Sequence, residues 1–403
     1  MAKARFEWGV HGVRATRNTT NDPAGFEVLL ADLREHRIGL IVIEATGGLE
    51  HALAGQLLQE GYKVAIATEP IQTGKTDWPR GTWVARVSRN DATLAARVDA
   101  LAKLAGVEVT GVNTAFPESS QYGTGSGNTV SVQEPKIAVA ANDGVGLGAY
   151  GAIWWSLEQR YGIKFTPVSL ASLNGDMSAF NVIIVPDGNT GALGKGAGLK
   201  TWVERGGTLI TMGNATSWAA REDVGMTTAR ILTGDDAKDA KDDKAKPDDK
   251  KKDDAKPDAK DEKKKDVAAA APAAAPTPAG ADSLLAVKSP TANPNAPQSV
   301  PGAHFDVVLD MTHWLTLGVE RQRTTVMFEG DAFLKLSKEG SNVAVFPATG
   351  LLKRAGFTFP DNTERLLRGT ALLVEEAVGR GHLVMFANDP MFRGWWRALE
   401  RVY

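Results

Sequence analysis

A run of lysine and acidic residues divides this chain in two. Residues 235–266 hold 12 Lys and 13 Asp or Glu with no large apolar side chain, and an Ala/Pro-rich stretch continues to about Pro301. Such a composition cannot bury enough apolar surface to offset the entropy lost on ordering. Because the two signs nearly cancel, the run is typical of a solvated linker rather than a nucleic-acid-binding tail. We therefore predict a long disordered insertion over residues 234–300.

Composition narrows the functions open to the chain. A chain of 403 residues is long enough for two or three domains. With 46 Lys+Arg and 48 Asp+Glu, it has no overall positive charge that would attract nucleic acid. The absence of cysteine excludes disulfides, thiolate zinc sites and a cysteine nucleophile. No signal-peptide pattern opens the sequence, and no apolar run approaches the roughly 20 residues that span a bilayer. We expect a cytoplasmic protein without membrane contact.

The N-terminal part, residues 1–70, is predicted to alternate strand and helix. Asp22 is placed to cap a first helix. Residues 38–44 form an apolar run typical of a buried strand, and residues 62–68 form a second strand. Between them Leu49, Leu53 and Leu57 recur at helical spacing, which predicts one β-α-β unit. Glu44 then lies at the carboxyl end of its first strand, where open α/β sheets usually hold ligands.

A second series of strands and helices begins at residue 136 and resumes after the insertion. Strands are predicted in KIAVAAND, FTPVSL, NVIIVPDG, TLITMG and HFDVVLD, and two more around the Gly-Arg-Gly turn at 379–381. The segment 389–403 is predicted to be a helix capped by Asp389. The fold class expected is α/β, with a doubly wound and mostly parallel sheet that the insertion interrupts.

The stretch IQTGKTDW, residues 71–78, contains a Gly-Lys-Thr that invites comparison with a phosphate-binding loop. That loop needs a glycine five residues before Gly74, and this position is Glu69, whose carboxylate would repel phosphate. Trp78-Pro79 also follow at once where a helix is required. The stretch is not a P-loop.

Residues 10–70 resemble the N-terminal domain of insertion sequence 110 family transposases. The resemblance lies in NDPAGFEVLLADL, VIEATGG and LQEGYKVA. It implies a RuvC-like fold, possible DNA binding through residues 1–70, and Mg²⁺ held by three Asp and one Glu, the last mapping onto Glu44. Two-metal cleavage needs several converging carboxylates. Asp77 mimics one of them, but no matching second Asp follows, so the catalytic set is incomplete.

From about residue 72 the chain resembles the C-terminal region of bacterial zinc carboxypeptidase-like proteins of metallopeptidase family 14. DWPRGTWVARVSRN, YGAIWWSLEQRYG and FANDPMFRGWW carry the resemblance. It implies a domain similar to class I glutamine amidotransferases. The peptidase zinc site needs a His-x-x-Glu pair. None of the six histidines begins such a pair, namely His11, His36, His51, His304, His313 and His382.

Amidotransferase chemistry needs a Cys at a sharp strand-to-helix turn, activated by a His. The corresponding turn is LITMGNATSW, residues 209–218, which has no cysteine, and neither Thr216 nor Ser217 sits in a Gly-x-Ser-x-Gly motif. A residual pocket for a peptide or glycan is a hypothesis, because charged and aromatic groups combine there. Its residues are His313, Trp314, Asp389, Arg393 and Trp395. The alternative interpretation is that Asp389 caps a helix and the tryptophans form a core stripe.

The sequence thus predicts four parts: a transposase-like segment (1–70), a connecting α/β segment (71–135), an amidotransferase-like domain (136–233 with 301–403) and the insertion (234–300). We expect a non-catalytic composite protein whose main part is an inactive amidotransferase-like accessory or binding domain. Two alternatives stay open: a truncated DNA-binding transposase, and a hydrolase-associated protein acting on peptide or cell-wall material. The carboxypeptidase-like relatives would be exported, whereas this chain is expected in the cytoplasm.

Overall fold

The computed structural model describes residues 39–43, 49–119, 122–125, 127–142, 144–234 and 293–394, together with positions 396, 398, 399 and 402. It also describes the backbone of two paired antiparallel strands, β1 (Arg5–Trp8) and β2 (Arg17–Thr20). Asp22 with its predicted helix, Glu44, Trp395 and residues 235–292 of the predicted insertion lie outside the described residues.

The first of two larger sheets, here called the front sheet, is antiparallel throughout. Its strands lie in the order β8-β3-β7-β4-β9, and the helices α1 and α2 pack on one face. A hairpin of β5 and β6 precedes β7. The elements are β3 (Leu40–Ile43), α1 (Glu50–Gln59), β4 (Val64–Ala67), β5 (Ile71–Thr73), β6 (Thr76–Trp78), β7 (Trp83–Arg86), α2 (Leu94–Ala105), β8 (Val109–Val112) and β9 (Thr129–Ser131).

The predicted β-α-β unit is present as a sequence of elements but is paired differently. Strands β3 and β4 are not neighbours, because β7 lies between them and pairs antiparallel with both. The buried side chains Trp83 and Val84 give β7 apolar contacts on both faces of the sheet. The result is the split β-α-β-β-α-β arrangement rather than part of a parallel sheet. Strand pairs also join residues on either side of the predicted boundary between 70 and 71.

The second sheet, here called the main sheet, has ten strands. Nine lie in the order β11-β10-β12-β13-β19-β18-β16-β14-β15, and β17 pairs with β14. The elements are β10 (Ile137–Ala141), α3 (Leu147–Trp154, continued by a π-helical turn Trp155–Arg160), β11 (Phe165–Ser169), β12 (Val182–Val185), α4 (Ala197–Glu204), β13 (Thr208–Met212), α5 (Asn214–Ala219), β14 (Val300–Leu309), β15 (Arg323–Gly330), β16 (Ser341–Val345), β17 (Lys353–Gly356), α6 (Arg365–Leu367), β18 (Ala371–Val378) and β19 (Gly381–Phe386).

Only half of the main sheet is parallel, so the prediction of a mostly parallel sheet is wrong. Strands β11, β10, β12, β13 and β19 run parallel, and the remaining five are antiparallel. The reason is the tight hairpin of β18 and β19, which reverses the chain without a helical crossover. Strands before and after the insertion share this sheet, since β13 pairs with β19. The protein is therefore of mixed α/β class.

The helix predicted from Asp389 onward is not continuous. The described residues form a 3₁₀ turn, Phe392–Gly394, in which Arg393 has a left-handed φ of 51°. A helix cannot pass through that conformation. The carboxylate of Asp389 nevertheless accepts a hydrogen bond from the Met391 backbone N–H at 2.8 Å. Asp389 therefore stabilises a turn rather than a long helix.

The two sheets meet at the loop that follows β14. Arg80 of the front sheet donates from Nη2 to the backbone oxygen of His313 at 3.0 Å, and His51 Nε2 lies 3.2 Å from the Leu317 oxygen. Beside them Gly81 and Gly318 touch so closely that a Cβ on Gly81 would lie 2.3 Å from the Gly318 nitrogen. The loop is thus fixed from both sides. In the described part of the chain, no helix combines the length and apolarity needed to cross a bilayer.

Candidate functional site

The turn between β13 and α5 has the geometry of a nucleophile elbow. The strand ends at Met212 and the helix starts at Asn214, so Gly213 alone makes the turn, with φ 54° and ψ −119°. In hydrolases of α/β fold, such a strained strand-to-helix residue presents the nucleophile at the top of the sheet. A strand-to-helix turn is therefore present within the predicted segment 209–218. The residue at its apex has no side chain.

Asp187 occupies the space in front of this turn. A Cβ placed on Gly213 would lie 2.7 Å from both Cγ and Oδ1 of Asp187, closer than real Cβ contacts allow. The same Oδ1 accepts a hydrogen bond from the Asn214 backbone N–H at 2.8 Å. The turn is therefore closed by a carboxylate, where an elbow nucleophile would need room for its side chain.

The two hydroxyls considered as substitutes, those of Thr216 and Ser217, follow the elbow in α5. Thr216 is fully buried; its hydroxyl donates to the Phe386 oxygen at 2.7 Å and lies 2.9 Å from the Thr211 hydroxyl. These bonds stabilise the start of α5 against β13 and β19. Ser217 lies one residue further along the helix, and no described histidine hydrogen-bonds to its hydroxyl.

Asp389 lies beyond β19 at the same end of the main sheet. Burial raises the pKa of its carboxyl to about 6, and the nearby charge of Asp187 adds to this, while the Met391 N–H acts in the opposite direction. The cavity beside it has a volume of only about 10 Å³, room for a single water. Arg393 stacks on Phe392, with Cζ 5.1 Å from the ring centroid. Among the described residues, the cavity beside Asp389 is therefore too small for a ligand larger than water.

The structure does not bring His313 and Trp314 to Asp389. Their loop lies near His382, at the start of β19, whereas Asp389 follows the end of the strand. Phe386 lies four residues further along the strand than His382, a distance of roughly 13 Å. The five predicted site residues therefore do not form one pocket: two lie at one end, two at the other, and Trp395 is outside the described residues.

His313 instead joins two residues that the sequence did not single out. The buried carboxylate of Glu375 on β18 lies between two imidazoles, 3.3 Å from His313 Nε2 and 2.6 Å from His382 Nδ1. Glu375 lies in the strand sequence ALLVEEAV. Two adjacent carboxylates inside an apolar strand are unusual, and they could have marked Glu375 as a candidate site residue from the sequence. Which histidines would reach it depends on strand pairing and could not be inferred.

Hydrogen-bond partners assign the protons in this cluster. His313 Nδ1 accepts from the Leu315 backbone N–H at 3.2 Å, so its Nε2–H donates to Glu375. His382 donates from Nδ1 to the other carboxylate oxygen. Burial alone would raise the pKa of Glu375, but the two imidazole hydrogen bonds outweigh it and hold that pKa below its ordinary value. Glu375 thus stays ionised and orients both rings.

Trp314 completes the cluster at the surface. Its indole is 44% exposed and lies edge-to-face with His382, the ring centroids 5.6 Å apart. The neighbouring carboxylate, Glu376, belongs to the other face of β18, where Ser337 and Thr228 donate hydrogen bonds to it. In the part of the chain described, no group of three or more His, Cys, Asp or Glu is arranged to hold a metal ion. The cluster is suited to hydrogen bonding and stacking.

Comparison with known proteins does not assign an activity. No protein-family model matches the chain, and no curated protein matches it. Among solved structures, a β-galactosidase from Bacillus circulans sp. alkalophilus is 12% identical over 66% of this chain, with a TM-score of 0.31. The match covers 30% of that enzyme, so this chain corresponds to less than a third of its length.

Two smaller proteins are also similar at this level. A glutamine amidotransferase from Thermotoga maritima is 6% identical, covering 64% of this chain and 76% of its own, with a TM-score of 0.34. A ThuA-like protein from Bacteroides uniformis is 9% identical, covering 66% of this chain and 88% of its own, with a TM-score of 0.35. Likenesses this distant carry no conclusion about this chain's activity.

Proposed function

We propose that this protein is a non-catalytic binding or accessory protein built on an amidotransferase-like domain. The observation that carries the proposal is Gly213, which stands at the elbow without a side chain and faces the Asp187 carboxylate at a distance that excludes one. An acyl-transfer enzyme needs a nucleophile and an adjacent base at this position. Among the described residues, neither is present there.

The strand order of the parallel half supports the amidotransferase-like assignment. In the order β11-β10-β12-β13-β19, consecutive strands lie on both sides of β10, as in doubly wound folds of flavodoxin type. The elbow follows the fourth of these strands along the chain. The strand order supports only the assignment of the fold, whereas the proposed function rests on the residues of the elbow.

Neither alternative finds support in the described residues. Of the carboxylates that a two-metal transposase needs, the resemblance supplies Glu44, which lies outside the described residues, and a mimic of a second in Asp77. A peptidase would need a zinc site or an activated nucleophile. The proposed function therefore remains binding rather than cleavage.

A covalent probe tests the proposal directly. The purified chain is incubated with a fluorophosphonate, which reacts with activated serine and threonine hydroxyls, and its intact mass is measured. We expect no adduct, and no release of ammonia from glutamine. Ser217→Ala serves as the matched control. An adduct on the wild type that disappears in this variant would identify Ser217 as a nucleophile and refute the proposal, and so would glutamine hydrolysis by the wild type.

A further inference from the structure

Trp314 is an exposed aromatic side chain on an unusually well fixed loop. The hydroxyl of Thr316 lies 2.7 and 2.8 Å from the backbone oxygens of Asp310 and His313, which share its single hydrogen. The Asp310 carboxylate in turn accepts from the N–H and hydroxyl of Thr312. With Arg80 bound to the His313 oxygen, the loop is held on every side. A surface fixed before binding loses little entropy when a ligand arrives.

The polar groups beside the indole remain available to a ligand. His382 is fixed through Nδ1, its side chain is 43% exposed, and no other described residue hydrogen-bonds to its Nε2. The indole N–H of Trp314 likewise has no hydrogen-bond partner among the described residues. An aromatic face, an oriented imidazole nitrogen and an indole donor therefore lie within one small surface.

We propose that Trp314 and His382 form a binding site for a neutral carbohydrate, with a pyranose ring stacked on the indole and one hydroxyl bonded to His382 Nε2. The site deepens the proposed binding function and rests on it. An aromatic side chain with a few placed polar groups is the usual composition of small-molecule sites. The flat C–H face of a pyranose complements the indole, and its hydroxyls serve the polar groups.

The charge beside the site disfavours an anionic ligand. An anion would be repelled by the ionised Glu375, which lies directly behind His382. A hydroxyl can both donate and accept, so it can pair with His382 Nε2 and with the indole N–H. Sugars offer several such hydroxyls around one apolar face.

The test measures binding of defined oligosaccharides to the whole chain. Cellohexaose, chitohexaose and maltohexaose are titrated at millimolar concentration, with saturation-transfer NMR and calorimetry as readouts. We expect at least one to bind, and Trp314→Ala to weaken that binding by about tenfold or more, which corresponds to the loss of one stacked aromatic contact of about 1.4 kcal/mol. His382→Gln should weaken it severalfold while the fold, followed by circular dichroism, is unchanged.

Trp154→Ala is the matched control, because its indole is 39% exposed but lies on α3. Its affinity for the sugar should equal that of the wild type. Equal losses in the two tryptophan variants would refute the site, and so would the absence of binding by all three sugars. Binding of an arginine- or aromatic-rich peptide at Trp314 with no sugar binding would also overturn it. None of these outcomes depends on the fluorophosphonate result, so this proposal and the proposed function can fail separately.

Discussion

Replacement of Asp389 by Asn should stabilise the protein at neutral pH. The wild-type carboxyl is ionised there although burial and the charge of Asp187 disfavour ionisation. Asparagine keeps an oxygen at the position that accepts the Met391 N–H and carries no charge. The substitution is close in shape, so the change in stability reports the charge.

The size of the effect follows from the pKa. The folded value of about 6 exceeds the ordinary value of 3.8 by about 2.2, and each pKa unit corresponds to 1.36 kcal/mol, which gives about 3 kcal/mol. A hydrogen bond to an amide oxygen is weaker than one to a carboxylate. We therefore expect Asp389→Asn to raise the free energy of unfolding by about 2 kcal/mol above pH 7.

The pH dependence has a definite sign. Because the folded pKa of Asp389 is raised, the native wild type binds this proton more tightly than the unfolded chain, and its stability falls as pH rises from about 4 to 6. The advantage of the variant should be absent below about pH 4 and reach its full size above pH 7. Contributions from other groups, Glu375 included, cancel between the two proteins.

Urea unfolding of both proteins at a series of pH values measures this difference. Asp176→Asn is a control of opposite sign, since hydrogen bonds from Ser178 lower the pKa of that exposed carboxyl. It should destabilise at neutral pH. A stability difference for Asp389→Asn that is constant with pH, or a destabilisation at pH 8, would refute the reasoning from burial.

Three further substitutions test the architecture. Gly213→Ala should lower the free energy of unfolding by about 2–3 kcal/mol in urea, because the turn has positive φ and no room for a Cβ; an unchanged midpoint would contradict the elbow. Glu376→Ala should lower the free energy of unfolding by about 3 kcal/mol, since it leaves buried hydroxyl donors without their acceptor. A decrease of less than about 1 kcal/mol would contradict this expectation. Arg80→Ala should speed amide hydrogen exchange around His313 while exchange in β12 stays unchanged.

The local strands of the main sheet were predictable because they are buried on both faces. The run NVIIVPDG contains β12, of which Ile183, Ile184 and Val185 are buried. Continuous apolar stretches of this length are typical of central strands. The hairpin of β18 and β19 was predictable because two apolar runs flank a glycine turn at Gly379. The structure confirms it.

Pairing partners were not predictable from the same patterns. Nothing in the sequence around β3 says that β7, some 40 residues later, will lie between it and β4. That choice depends on how α1 and α2 share the apolar core of the front sheet. The period of apolar residues indicates the elements, whereas tertiary packing determines which of them are neighbours.

The candidate site was found in part. His313 and Trp314 were selected for their chemistry and lie against each other, with His313 buried and Trp314 at the surface. Glu375 and His382 were missed, because residues of β18 and β19 reach the β14 loop only through the folded sheet. The elbow was located from the strand-to-helix pattern, but its crowding by Asp187, 26 residues earlier, is a property of the fold.

Gly234 and Asn293, which flank residues 235–292, lie side by side. The Asn293 side-chain amide donates to the Gly234 oxygen at 3.1 Å. A segment whose two ends meet at one point places little constraint on the rest of the fold. The entropy cost of closing such a loop grows only slowly with its length. The region between these residues can therefore lengthen, shorten or change composition over generations at little cost to stability. The same junction would accept an inserted domain or a short designed turn.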